Sequence, residues 1–398
     1  MKITRNTSIN FQLFLTAVLF ALAYYFIFAF MRDSQYDSQS FISGVKLLYG
    51  MEGGEDLQAR LSKPLSLILP GALSLFFELE IEIGFLIQNI LFFVCTIYLV
   101  YHTYSSLHQK ISIGFYSVLT YFTLPPIAIF SLFTLTDITG WFFIFLALYT
   151  CAHKKEKQTH FYFYLILGSI IGIGSLFKES AYAGAVYILF FVFFQKHSGL
   201  KKVIMIMLFL MPLIASFLIG MYISDKYSAE GLISRQFSLL KNHGFDSGYS
   251  WKNISQVYRI FDLFWIPILM GIWDSFRRGF NQLDKTMFFS ALLILLLLPL
   301  AHANSIHDRI LMMCAPFFLY FMPFGLFGNE RIDIGLILFY GILNIFGAYL
   351  IYKYQVQNLL WISLLLGLFL YIYLKTFLLK TSRYTNGNNH FKGRDHLS

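Results

Sequence analysis

Charge is what this chain of 398 residues has least of. Asp, Glu, Lys and Arg make up 13% of it, where a soluble domain carries about 25%. So few charges cannot cover a surface with polar groups, and a water-soluble globular enzyme is excluded. Cysteine is scarce too, with three residues in all. Cys95, Cys151 and Cys314 fall within or at the edge of apolar runs, without metal-ligand spacing or pairing logic. That excludes a disulfide framework and reads as three small core residues. No internal repeat occurs, and no stretch has the composition of a separate soluble domain.

Apolar residues are abundant instead: 57% of the chain, with 19% aromatic and a mean hydropathy of +0.63. A surface of this kind must meet lipid, and in a bilayer every backbone amide must be paired internally, so long apolar runs become helices. The pattern predicts an all-α, polytopic transmembrane protein of about twelve spans. They lie near 11–31, 83–104, 111–132, 136–152, 161–177, 179–195, 203–223, 260–275, 287–302, 309–327, 333–352 and 358–380. The stretch Phe11–Met31 is too long for a typical signal-peptide core and no Ala-x-Ala-like site follows it, so it reads as a retained first helix. Residues 1–380 form one transmembrane domain, and 381–398 a cytoplasmic, disordered tail.

Pro64–Phe77 is apolar but short and contains Pro70-Gly71, which predicts an interfacial or re-entrant helix rather than a span. Charge supports that choice. With this stretch on the surface, one side of the membrane holds the N-terminus, Lys110, Lys154/Lys155/Lys157, Lys196/Lys201/Lys202, Arg277/Arg278/Lys285, Arg331 and the tail. That side carries most of the 30 Lys and Arg and a minority of the 21 Asp and Glu, so it is cytoplasmic by the positive-inside rule. The net charge of +9 would suit nucleic acid, but its basic residues sit in short clusters between apolar runs, so no nucleic-acid partner is expected. The expected location is the inner cell membrane, with both termini cytoplasmic. Two long outer segments remain, 32–82 and 224–259, and long loops on one face carry function.

Four outer-face features could carry chemistry. The first loop opens Arg32-Asp33-Ser34-Gln35-Tyr36-Asp37, continues through Phe41 to Gly50, and re-enters the membrane at Lys63-Pro64. Asp37 sits at the start of a short amphipathic helix; a helix N-cap with solvated charge is the plain alternative. Asp137, in Thr136-Asp137, precedes the fourth span after Pro125-Pro126 breaks the third. It either caps that span or is lowered into a cavity, and a carboxylate near membrane depth is costly unless it faces protein or water. Lys178-Glu179 marks the turn between the fifth and sixth spans, where a snorkelling lysine is the alternative. His302 to Arg309, with His307 and Asp308, stands before the tenth span as a polar loop, too weak a pattern for zinc. Together these place carboxylates and cations on one face beside lipid. That chemistry suits a lipid-linked phosphate donor: cations hold the leaving phosphate while a carboxylate takes a proton from an acceptor hydroxyl.

In order and spacing the chain resembles the C-type membrane glycosyltransferases, the superfamily of the aminoarabinose transferases and protein O-mannosyltransferases. The residues that match are Asp37, Phe41 and Gly50, Lys63-Pro64, Thr136-Asp137, Lys178, and Arg309 with Pro316. The likeness covers about residues 10–325. It implies a C-type fold and an inverting transfer of a sugar from a polyprenyl-phosphate donor to an envelope glycan, lipid or protein acceptor on the extracytoplasmic face. By the resemblance Asp37 is the general base, and Asp137 orients the acceptor or shares the acid–base work. Lys63, Lys178 and Arg309 bind phosphate, with Asp33 and His307 as further substrate contacts. Phe41 stands where the family usually has Tyr. Ser62 stands where some relatives carry a Glu that helps bind a divalent metal, which leaves a metal open. Two other classes compete: an O-antigen-type polymerase, kept alive by Arg235, Lys241 and Arg259, and a lipid-linked oligosaccharide flippase or transporter. A flippase should carry mid-span charges and pseudo-symmetric halves.

Overall fold

The computed structural model describes residues 2–29, 36–55, 60–132, 136–153, 160–227, 257–301, 311–354 and 365–376. Among these the secondary structure is helical, and no strand occurs. The helices are α1 (Lys2–Ile27), α2 (Tyr36–Leu48), α3 (Leu65–Phe77), α4 (Ile81–His108), α5 (Ile111–Phe122), α6 (Pro125–Phe130), α7 (Asp137–His153) and α8 (Phe161–Phe177). They continue with α9 (Tyr182–Phe194), α10 (Gly199–Tyr227), α11 (Trp265–Arg277), α12 (Gln282–Ala301), α13 (Ala315–Phe318), α14 (Glu330–Tyr354) and α15 (Leu365–Thr376).

Among the described residues four helices are long and apolar enough to cross a membrane: Ser8–Ile27 of α1, α4, α10 and Glu330–Ile351 of α14. Only 22% of the most apolar window of α10 is buried within the protein, so the rest of that window needs an apolar surrounding to be stable. Several other expected spans are helical but shorter, at 10–17 residues. The stretch expected as a span over 309–327 is interrupted where it is described. It consists of a 3₁₀ turn (Met312–Cys314), α13 and a second 3₁₀ turn (Met322–Gly325). Pro316 and Pro323 lie at the start of these segments, and a ring nitrogen without N–H cannot continue the hydrogen-bond ladder.

Elsewhere the punctuation acts as its chemistry dictates. Pro125-Pro126 ends α5 and opens α6, whose residues are all buried. Gly50, at φ 67°, closes α2; the amides of Gly50 and Met51 donate back to the Leu47 and Lys46 carbonyls at 3.2 and 2.8 Å, a glycine-terminated cap. The expected short helix at Pro64–Phe77 is present as α3. One of its sides exposes Ile68, Leu75, Phe76 and Phe77, while the Tyr49 hydroxyl donates to the Ile68 carbonyl at 2.7 Å and ties α2 to it.

The core is built of aromatic side chains, among them Tyr24, Phe41, Phe85, Phe93, Tyr104, Tyr121, Trp141, Tyr164 and Tyr187. α4 runs through its middle, packed against α1, α3, α5 and α7, while α8 lies along α10. Cys151 and Cys314 are buried in it, but Cys95 is exposed on α4 and is no core residue. An apolar run shows its period equally well on a side facing lipid, so its membership of a run could not tell the two apart.

Candidate functional site

Two chain breaks create the site. α8 stops at Phe177, and Lys178 takes extended backbone (φ −157°, ψ 133°) before the 3₁₀ turn Glu179–Ala181 and α9. The Lys178 amide donates to the Gly174 carbonyl at 2.8 Å, closing the end of α8. Its side chain does not reach for water. Lys178 is 5% exposed, and its Nζ lies 3.3 Å from Oδ1 of Asp137, itself 2% exposed at the first position of α7. A snorkelling lysine keeps its ammonium solvated, so that alternative is set aside. Gly140 sits one turn along α7 from Asp137. A Cβ there would stand 3.1 Å from Cβ and Cγ of Lys178 and would collide with Oγ of Ser180. The lysine stem thus lies directly on the α7 backbone.

The second break is the 3₁₀ turn Arg60–Ser62 that leads through Lys63 into α3. α10 clamps this turn: a Cβ on Gly220 would lie 2.6 Å from the Ser62 carbonyl oxygen. Arg60 is buried; its Nε donates to Oγ of Ser40 at 2.9 Å, and its guanidinium stands 4.1 Å above the Phe41 ring. Lys178 Nζ lies 5.6 Å from the centroid of that ring. Phe41, fully buried on α2 and edge-on to Phe85 of α4, is therefore shared by two cations, an arrangement the negative ring face favours. Lys63 Nζ pairs with Oε2 of Glu179, whose Oε1 is 3.9 Å from Lys178 Nζ.

The result is a chain of charges: Asp137, Lys178, Glu179, Lys63, with Arg60 beside it. Burial pushes the Lys63 ammonium down to about 8; Glu179 pulls it back up, while Lys178 and Arg60 add to the fall. Glu179 stands between the Lys178 and Lys63 ammoniums and meets both. Cations gathered in this way can hold an added anion.

Of the residues singled out from the sequence, Asp137, Lys178 and Lys63 come together here. Asp37 lies in the first turn of α2, four positions before Phe41, but its side chain is outside the described residues. Asp33, His307 and Arg309 also lie outside the described residues, as do Arg235 and Lys241. Arg259 is on a helical turn (257–261) leading into the 3₁₀ turn Asp262–Phe264. Two members escaped the sequence: Arg60 as a cation of the site, and Glu179 as the link between the two lysines. The spacing Arg60-x-x-Lys63 ahead of a proline was the available signal, since residues three apart eclipse on a 3₁₀ turn. Among the described residues no three His, Cys, Asp or Glu side chains converge as metal ligands, so they do not by themselves make a metal site. Comparison with protein-family models, with curated proteins and with solved structures finds no significant match.

Proposed function

We propose that the chain is an inverting membrane glycosyltransferase, using a polyprenyl-phosphate sugar on the extracytoplasmic face of the inner membrane. The observation that carries the reading is the meeting of Arg60 and Lys178 at the Phe41 ring, with Lys63 joined to them through Glu179 and Asp137 ion-paired to Lys178. Three cations at two helix breaks, beside the apolar exposed side of α3, suit a ligand whose phosphate is charged and whose tail is hydrocarbon. The acceptor hydroxyl attacks the anomeric carbon as the bond to the phosphate oxygen breaks. The hydroxyl proton goes to Asp37, and the leaving phosphate keeps the electron pair and is held by Lys63, Lys178 and Arg60. Asp137, fixed by Lys178, orients the acceptor; Arg309, Asp33 and His307 complete substrate binding. The reading includes about twelve membrane crossings, with both termini cytoplasmic and the C-type fold.

The experiment is transfer by the purified protein in nanodiscs, with polyprenyl-phosphate-linked sugars and envelope acceptors. Asp37→Asn is expected to abolish product while leaving the protein folded in the membrane; wild-type turnover in that variant removes Asp37 from the mechanism.

A further inference from the structure

Glu179 differs from its neighbours in exposure. The side chains of Asp137, Lys178 and Lys63 are 3%, 7% and 16% exposed, and that of Glu179 is 42% exposed. Yet Glu179 is the group that spans both ammoniums, Oε2 on Lys63 and Oε1 towards Lys178. Two oxygens of one anion reaching two lysines is how the two non-bridging oxygens of a phosphodiester would be held. Its backbone lies in the short 3₁₀ turn between α8 and α9, so a change of side-chain rotamer releases the carboxylate to solvent without moving a helix. The Oε2 that meets Lys63 is itself shielded from solvent, so the carboxylate leaves this place only when another anion takes over its contacts with the two ammoniums. Asp137, with a side chain 3% exposed, lies deeper than Glu179 and stays with Lys178.

We infer that Glu179 is a displaceable counter-ion: its carboxylate holds the place that the phosphodiester oxygens of a lipid-linked ligand take, and swings outward when they arrive. The inference rests on the donor site proposed above and adds a competing anion to it. It accounts for an acid where the phosphate-binding reading alone would ask only for cations. Without that acid, the Lys63 and Lys178 ammoniums would face one another with no carboxylate between them.

The test is calorimetric titration of the detergent-solubilised full-length protein with farnesyl phosphate, a lipid monophosphate that carries no sugar. Farnesol and inorganic phosphate serve as separate arms. Glu179→Gln is expected to bind farnesyl phosphate roughly 2–5-fold more tightly than wild type, because no carboxylate then competes for the two ammoniums. Glu179→Asp, too short to reach Lys63, should tighten binding in the same direction, and Lys63→Ala should weaken it. Equal or weaker binding by both Glu179 variants, with melting temperature retained, overturns the inference, as does absence of farnesyl phosphate binding throughout. A gain of the same size with inorganic phosphate overturns the lipid-linked source. Tighter binding by the Glu179 variants without transfer from any polyprenyl-phosphate sugar leaves this inference standing and removes the transferase reading.

Discussion

At the scale of single residues the energetics centre on Asp137 and Lys178. Both are almost fully buried and 3.3 Å apart. Removing one partner of such a pair leaves an uncompensated charge and costs about 3–5 kcal/mol, whereas replacing both by uncharged groups is often neutral. Lys178→Met is therefore expected to lower the melting temperature, and Asp137→Asn combined with it to restore stability without restoring transfer. A thermal-shift series checks this; equal destabilisation in single and double variants would contradict the pairing. If Lys178 also holds phosphate, donor use by Lys178→Ala should fall roughly 10–100-fold, equivalent to about 1.4–2.7 kcal/mol. Lys63 gives a pH signature. Its ammonium is pushed down to about 8 from an ordinary value of 10.5, so the unfolded chain binds more protons between those values and stability rises with pH across that window. Phosphate binding needs the charge and should weaken as pH passes 8. Melting temperature and farnesyl phosphate affinity, measured from pH 7 to 10, are expected to move in opposite directions. Asp137, Lys63 and Lys178 were legible because each stands at an interruption of an apolar run, where a charge calls for an explanation. Arg60 was not, because a basic residue inside a polar loop looks solvated until folding buries it.

At the scale of elements the close approach of α7 to the α8–α9 break sets the geometry. Gly140 leaves no room for a side chain between α7 and Lys178. Gly140→Val is expected to push the 178–181 turn away, reducing farnesyl phosphate binding while helix content by circular dichroism stays unchanged; undiminished binding would show that the lysine stem does not rely on this contact. Helix ends were the most readable features. Pro125-Pro126 divides α5 from α6 and Gly50 closes α2, because backbone chemistry decides both locally. The 309–327 region was misread as one continuous span, since hydropathy registers apolar content and not whether the ladder survives Pro316 and Pro323. The lysine-to-carboxylate partnerships were beyond the sequence altogether: helix periodicity reports faces, not which distant turn a face meets.

For the whole molecule, the apolar character visible in composition reappears as exposed Phe, Leu and Ile side chains along α1, α10 and α14. The number of crossings and the side on which each turn lies are to be decided by labelling. Glu52→Cys, on the exposed turn after α2, should react with a membrane-impermeant maleimide from outside, whereas Ser198→Cys, exposed before α10, should not. Reaction of Ser198→Cys from outside would reverse the orientation and remove the extracytoplasmic assignment.

The placing of Lys63 at the head of α3 has one more effect. The helix that begins there turns Leu75, Phe76 and Phe77 outward, so on the donor reading proposed above a prenyl tail would stay dissolved in the leaflet while its head is captured. Encounter would then be a lateral search in two dimensions, governed by carrier molecules per unit area of membrane, and dilution of the surrounding aqueous medium would leave the rate untouched.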